Sequence, residues 1–308
     1  MNSIEVNNLT KKFGRFTAVD QVSFNVKQGE IFGFLGANGA GKSTTIRMLT
    51  AILEPTSGDA LVGGYSIIKE PDKVKTQIGY MSQKFSLYND LTVEENIRFF
   101  AGVYGLAGKK YDERKKWVLN VANLEGKEKL ITGSLPGGIK QRLALGTAVI
   151  HEPKIVFLDE PTSGVDPVSR RNFWDLINDL SAGGTTVLVT THYLDEAEFC
   201  NNIILINAGK LIARGNSKEL KSNYIKNTIL EIEADRIIDS LSILEKEDWV
   251  AETSIFGNYI HIILKVNSKG EADVREVLTN RNGINVSRVD KIFPTLEDVF
   301  IHLLEKDK

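Results

Sequence analysis

The chain has 308 residues, 42% of them hydrophobic and 25% charged, an ordinary composition for a water-soluble fold with a sizeable core in one large domain or two modest ones. The formal net charge of −2 removes any general electrostatic reason to bind nucleic acid, and the single cysteine, Cys200, excludes an internal disulfide and fits a reducing, cytosolic compartment.

The N-terminal residues Met1-Asn2-Ser3-Ile4-Glu5-Val6 are too polar for a signal peptide. Nothing downstream approaches the roughly 18 to 20 uninterrupted apolar residues of a membrane span, so any membrane role is expected through a partner. Two strands are expected at Ile4–Leu9 and Val22–Val26, around a turn at Phe13-Gly14-Arg15. The apolar run Ile31-Phe32-Gly33-Phe34-Leu35 then leads into Gly36-Ala37-Asn38-Gly39-Ala40-Gly41-Lys42-Ser43, and a helix-like segment from Ser43 and Thr44 to Leu49 leads out. This is a complete phosphate-binding loop in its strand-loop-helix context. The glycines let backbone N–H groups turn inward around phosphates, and the helix start adds its positive dipole end. Lys42 is placed to reach the β- and γ-phosphates and Ser43 to hold Mg²⁺, which makes the chain a nucleoside triphosphate binder.

From Lys84 to Gly133 the pattern becomes that of amphipathic helices. Thr92-Val93-Glu94-Glu95 reads as a capping box opening a helix through Ile97, Phe100 and Val103, and a second helix is expected from Tyr111 to about Ala122. Ile155–Leu158 and Thr186–Val189 are short, β-branched runs that read as buried parallel strands, with a helix around Asn172–Leu180 between them. The first strand ends in Asp159-Glu160, and its carboxyl end is where such acids reach a phosphate loop. Asp159 is the candidate partner of Mg²⁺ and Glu160 the candidate general base, able to orient and deprotonate an attacking water; taken alone, the pair would pass as a solvated strand end.

A last strand of the first domain is expected over Asn202–Ile212, and the polar, Lys-rich stretch Lys218–Asn223 marks a boundary near Asn223. Beyond it the expected order is strand (Thr228–Ala234), helix (Asp235–Leu244), strand (Val250–Phe256), strand (Tyr259–Val266), helix (Glu271–Thr279) and strand (Ile284–Val289), the split βαββαβ of ferredoxin-like domains. Pro294 is expected at the first position of a final helix. His151, His261 and His302 sit apart and lack metal-ligand spacing, and the three tryptophans read as core or interface residues.

The order of these motifs resembles the nucleotide-binding subunits of ATP-binding cassette (ABC) transporters over about residues 4 to 220. The resemblance implies an α/β fold, in which a P-loop ABC ATPase domain (1–222, a mixed sheet with a helical insert at about 84–145) precedes a small α+β ferredoxin-like domain (223–308). It implies ATP and Mg²⁺ as cofactors and Gly36, Ala37, Asn38, Gly39, Ala40, Gly41, Lys42, Ser43 and Thr44 as the phosphate cradle. Phe13 occupies the place of the aromatic that stacks on adenine, although alone it would read as core. Gln83 matches the glutamine that meets Mg²⁺ and water, joining Ser43 and Asp159 around the metal. Ser163-Gly164-Val165-Asp166 matches the loop that crosses to the opposite subunit, otherwise a plain turn, and His192 matches the histidine at the γ-phosphate.

The family's Leu-Ser-Gly-Gly-Gln signature appears as Leu135-Pro136-Gly137-Gly138-Ile139-Lys140-Gln141. Pro136 removes a hydroxyl and an N–H and Ile139 removes an amide, while Gly137, Gly138 and the helix start behind them keep donors, and with Leu135 they are the signature residues implied to meet an ATP held by the opposite subunit. A homodimer, or a heterodimer whose partner supplies the better copy, is implied. Phe293-Pro294-Thr295-Leu296-Glu297-Asp298-Val299-Phe300 is similar to the tail of subunits serving ABC-2-type export permeases. The resulting expectation is an ATPase subunit that sits in the cytoplasm on the face of the inner or plasma membrane, powers export through such a permease and binds no nucleic acid. The alternative is a soluble cassette ATPase acting on ribosomes or DNA.

Overall fold

A computed structural model describes residues 1–83, 87–265 and 269–306. The chain divides into two compact units, Met1–Asn216 and Ser217–Lys308.

In the first unit, β1 (Asn2–Phe13) and β2 (Phe16–Lys27) form an antiparallel hairpin around Gly14-Arg15, longer at both ends than the hydrophobic pattern alone suggests. Next come β3 (Ile31–Leu35), α1 (Lys42–Leu49), β4 (Ser57–Val62), β5 (Tyr65–Ser66), α2 (Pro71–Gln77) and β6 (Ile78–Met81). The helical insert holds α3 (Val93–Val103), α4 (Gly108–Val121) and α5 (Gly137–Ala148). Its expected first residues, 84–86, lie outside those described. The Thr92 capping box is present, with Glu95 N–H donating to Thr92 Oγ1 and Thr92 N–H to Glu95 Oε2. After it run β7 (Ile155–Asp159), α6 (Pro167–Ala182), β8 (Thr186–Thr191), β9 (Asn202–Asn207) and β10 (Lys210–Gly215).

The expected single strand over Asn202–Ile212 is two. Ala208 and Gly209 both take positive φ, 45° and 79°, and close the two-residue turn whose twist suits a β9–β10 hairpin. The strands assemble into an antiparallel sheet of order β2-β1-β4-β5 and a six-stranded sheet of order β10-β9-β3-β8-β7-β6, parallel except at β10. Every residue of β3, β7 and β8 is buried, which is why these strands read as continuous apolar runs. One core joins the two sheets, with Phe24 stacked on Phe32 at 5.5 Å and α1 contributing Ile46, Met48 and Leu49. Fully burying such side chains is worth roughly 1.5–3 kcal/mol each.

The second unit opens with α7 (Ser217–Tyr224), followed by β11 (Ile229–Ala234), α8 (Ile237–Leu244), β12 (Val250–Phe256), β13 (Tyr259–Leu264), α9 (Glu271–Arg275), β14 (Val286–Ile292) and α10 (Leu296–Lys306). Its antiparallel sheet has the order β12-β13-β11-β14, the 4-1-3-2 arrangement of a split βαββαβ fold. Val266, expected to end a strand, lies outside the described residues. The helix expected over Glu271–Thr279 is α9 followed by a π-helical stretch, Glu276–Arg281. The final helix does not begin at Pro294. Thr295 caps it, exchanging hydrogen bonds with Asp298, so proline precedes the cap instead of occupying the first turn.

The histidines of this unit have carboxylate partners. His261 Nδ1 lies 2.8 Å from Asp298 and its Nε2 3.2 Å from Glu231, and His302 Nδ1 is 2.6 Å from Glu252. Burial lowers the affinity of His261 for a proton, but Asp298 and Glu231 outweigh it and raise the pKa above the usual histidine value.

Candidate functional site

Strands β3, β8 and β7 are neighbours and parallel, so the segments that follow them open at one edge of the sheet. The register pairs Leu35 with Thr191 and Asp159 with Thr190, which sets the phosphate loop, the acid pair and His192 side by side. Gln83 follows β6, next to β7 in the same sheet.

The loop from Gly36 to Ser43 is held by features that demand glycine. A Cβ at Gly36 would sit 2.3 Å from Ile206 O, and Gly41 combines φ 109° with a Cβ position 2.5 Å from Ala18 O. Gly41 is the N-cap of α1, so the helix begins where the loop ends and its first amides face the same space. Lys42 Nζ donates to Gly36 O at 2.8 Å and Ala37 O at 3.2 Å, and pairs with Glu160 Oε1 at 3.2 Å. From behind, Gly209 N–H donates to Ala40 O at 3.0 Å, so the β9–β10 turn braces the loop.

Asp159 is 3% exposed, and its Oδ1 accepts from Ser43 Oγ at 3.0 Å and Thr190 Oγ1 at 2.7 Å. Burial raises its pKa, with the hydrogen bonds from Thr190 and Ser43 opposing the rise and the charge of Glu160 adding to it. Glu160 departs from the strand with a positive φ of 47° and is anchored by its own N–H, which donates to Thr190 O and Thr190 Oγ1. That turn aims its carboxylate across the loop, where Oε2 accepts from Gln83 Nε2 at 2.9 Å and lies 3.2 Å from His192 Nδ1.

A cavity of about 380 Å³ over the loop is lined by Phe13, Asn38, Gly39, Gly41, Lys42, Ser43, Thr44, Gln83 and Glu160, together with Phe16 and Ala18. Phe13 is 50% exposed, which rules out its reading as a core residue. Leu135, Gly137, Gly138 and Asp166 do not line this cavity. Gly137 and Gly138 open α5 instead, where the first amides have no helical carbonyl to bond, and Pro136 is the N-cap, not the first helical residue. Asp166 caps α6 by accepting from Ser169 N–H at 2.9 Å. Thr190 is a site residue that the sequence does not single out, although Thr190-Thr191 stands directly before His192; its bonds to Asp159 and from Glu160 depend on the β7–β8 register and have no local signal.

A phosphate loop, an acid pair and a histidine at the edge of a parallel sheet, with a separate antiparallel sheet and a helical insert, define a nucleotide-binding domain of the cassette type. The model of the ABC transporter family matches residues 19–163, and that of the C-terminal domain of DrrA1-3-like ATP-binding proteins matches residues 215–304. The probable multidrug ABC transporter ATP-binding protein YbhF of Escherichia coli (strain K12) is 50% identical over 251 residues, 82% of the chain; the chain spans only 43% of that relative's length. The linearmycin resistance ATP-binding protein LnrL of Bacillus subtilis (strain 168) is 40% identical over 74% of each chain, and a Nod factor export ATP-binding protein I of Burkholderia lata is 32% identical over 99% of this chain and 97% of its own. Among solved structures, the ATP-binding subunit of an ABC transporter aligns with a TM-score of 0.66 at 29% identity, over 72% of this chain and 92% of its own. A dimeric ATP-binding cassette in a post-hydrolysis state with ADP and phosphate aligns with a TM-score of 0.63 at 28% identity, over 69% of this chain and 98% of its own. The chain belongs to the ATP-binding proteins of the ABC transporter family, and it carries a DrrA-like C-terminal domain.

Proposed function

We propose that the chain binds ATP with Mg²⁺ between two cassette subunits and hydrolyses it to drive export through a separate permease of the ABC-2 type. The observation that carries this reading is the convergence of Lys42, Gln83 and His192 on the carboxylate of Glu160 beside the phosphate loop. Phe13 stacks on the adenine, and the amides of residues 36–44 wrap the phosphates. The γ-phosphate competes with Glu160 for Lys42, which frees the carboxylate to accept a proton from the attacking water. His192 contacts the γ-phosphate from the other side of Glu160.

Ser43 Oγ, the carboxylate of Asp159 and the amide oxygen of Gln83 form the hard oxygen set that suits Mg²⁺, a cation held by few protein ligands together with substrate phosphates. When bound it supplies charge neutralisation on the phosphates. A second subunit brings Leu135, Gly137 and Gly138 to the γ-phosphate and its Asp166 across the dimer axis. Closure on ATP and opening after hydrolysis give the helical insert a motion to pass on.

Among the described residues, no helix is long and apolar enough to cross a membrane; in this reading the permease supplies the attachment to the cytoplasmic face. The relative named for Nod factor export supports the export direction, as do those named for linearmycin resistance and for daunorubicin and doxorubicin resistance, and cargo choice in this reading falls to the permease. The C-terminal domain is a dimerising or regulatory appendage. Purifying the tagged protein from its own membranes in gentle detergent and identifying its companions by mass spectrometry tests the reading. A multi-span permease is expected; ribosomal or DNA-repair proteins without one would overturn it.

A further inference from the structure

Glu196, in the short turn after β8, is 1% exposed, and a carboxylate so deeply placed needs hydrogen bonds and a cation. Thr162, itself buried and two residues beyond Glu160, donates its hydroxyl to Glu196 Oε1 at 2.6 Å. The cation is Arg170, near the start of α6, whose Nε lies 3.6 Å from the same oxygen. A second acid, Asp195, lies 3.8 Å from Nη1 but is 76% exposed, so solvent screens it.

Arg170 is engaged at both ends. Its backbone N–H donates to Asp166 O at 2.9 Å, and its guanidinium sits 3.9 Å above the Tyr193 ring. The Tyr193 ring is 4.1 Å from that of His192, and His192 Nδ1 is the group that lies 3.2 Å from Glu160 Oε2. The contacts therefore run from Thr162 through Glu196, Arg170, Tyr193 and His192 to Glu160, and the backbone joins Glu160 to Thr162 two residues on. At 3.6 Å the Arg170–Glu196 pair is longer than a hydrogen bond, and Arg170 Nε and Glu196 Oε2 are buried without a hydrogen-bond partner among the described residues. A small shift of α6 gives this pair a shorter, charge-assisted bond.

Building on the hydrolysis reading above, we propose that Arg170 is a positioning residue that ties the Ser163–Asp166 loop to the placement of His192 over Glu160. That loop caps α6, so a second subunit pressing on it moves the start of the helix and Arg170 with it. The guanidinium carries the Tyr193 ring it covers, and Tyr193 carries the adjacent His192. Arginine suits this task because one planar cation both stacks and pairs, which the point charge of lysine does not do.

The chain has four histidines, so ring NMR signals of the histidine-labelled full-length protein resolve the question. The His192 signal is assigned by its loss in His192→Ala. In Arg170→Gln it is expected to shift or broaden while those of His261 and His302 stay in place, with kcat for ATP reduced about 10- to 100-fold, KM unchanged and part of the rate restored in Arg170→Lys. Tyr193→Leu keeps the buried ion pair, removes the stack, and should displace the same signal, which covers the case where Arg170→Gln does not fold. In the His192→Ala background, Arg170→Gln should cost nothing further. An unmoved His192 signal in both variants, or an undiminished loss in that background, overturns the proposal. A parent protein without ATPase activity overturns the functional reading instead, and the NMR signal still decides the coupling.

Discussion

Gln83 and His192 meet on one oxygen of Glu160: Gln83 Nε2 donates to Oε2 at 2.9 Å, and His192 Nδ1 lies 3.2 Å from the same atom. The other oxygen pairs with Lys42. Glu160→Gln keeps the shape and removes the base. ATP affinity should persist, the ATP-bound dimer should accumulate, and kcat should fall about 10²- to 10⁴-fold. Phosphate release and nucleotide-binding assays on the same preparation check this, and turnover at the parent rate would remove Glu160 from the role of base.

Asp159 gives a pH dependence with a definite sign. Burial raises its pKa in the folded chain, so between the ordinary carboxylate value and the raised one the folded state holds a proton that the unfolded state has released. Stability therefore declines as pH rises through that window and stays lower above it. Asp159→Asn should stabilise the nucleotide-free protein at neutral pH, and the gain should shrink as pH falls below the ordinary carboxylate value. Thermal unfolding across pH measures it; a gain that grows toward acid would contradict the assignment to burial.

Pro136 caps α5 without a side-chain acceptor, ahead of the first helical residues Gly137 and Gly138. Pro136→Ser restores both a hydroxyl and an N–H at that position. It should strengthen the helix start by about 1 kcal/mol, as good N-caps do, and raise the ATP-dependent dimer fraction and the ATPase rate. Size-exclusion chromatography with ATP and a rate assay separate the two effects: a higher melting temperature with unchanged dimer and rate would confine the residue to helix capping.

His261 bonds Asp298, which also accepts from Thr295 N–H and Oγ1 in the cap of α10. Since the folded-state pKa of His261 is raised, its stabilising contribution is complete below the unfolded value near 6.5 and is lost as pH rises through the folded one. The pKa of Asp298, which burial raises but its bonds to His261 and Thr295 bring below the ordinary value, gives a contribution that is lost only in acid. Hydrogen exchange of the α10 amides, corrected for intrinsic rates, should show protection falling above neutral pH, and His261→Gln should abolish that fall. A fall of the same size in the variant would assign it elsewhere.

Local chemistry made much of this protein readable. The glycines of residues 36–41 were legible because a tight backbone turn around phosphates tolerates little else, and Asp159-Glu160 because an apolar run ending in acids marks a strand's carboxyl edge. The Thr92 box likewise needs only four adjacent residues. The hairpin at Ala208-Gly209 and the cap at Thr295 are also local, yet an apolar run and a nearby proline drew the expected boundaries elsewhere.

The sequence by itself determined that a glycine-rich loop of the phosphate-binding pattern follows Leu35, that two acids close an apolar strand, and that a split βαββαβ unit follows the first domain, since each is written in neighbouring residues or in a period of two or 3.6. Only the tertiary structure decided that Gln83, His192 and Lys42 share one carboxylate, that Thr190 anchors the turn at Glu160, and that Arg170 compensates Glu196 while covering Tyr193. Those contacts join residues far apart in sequence, through strand register and helix placement, and a side chain's partner across a sheet leaves no mark in the residues beside it.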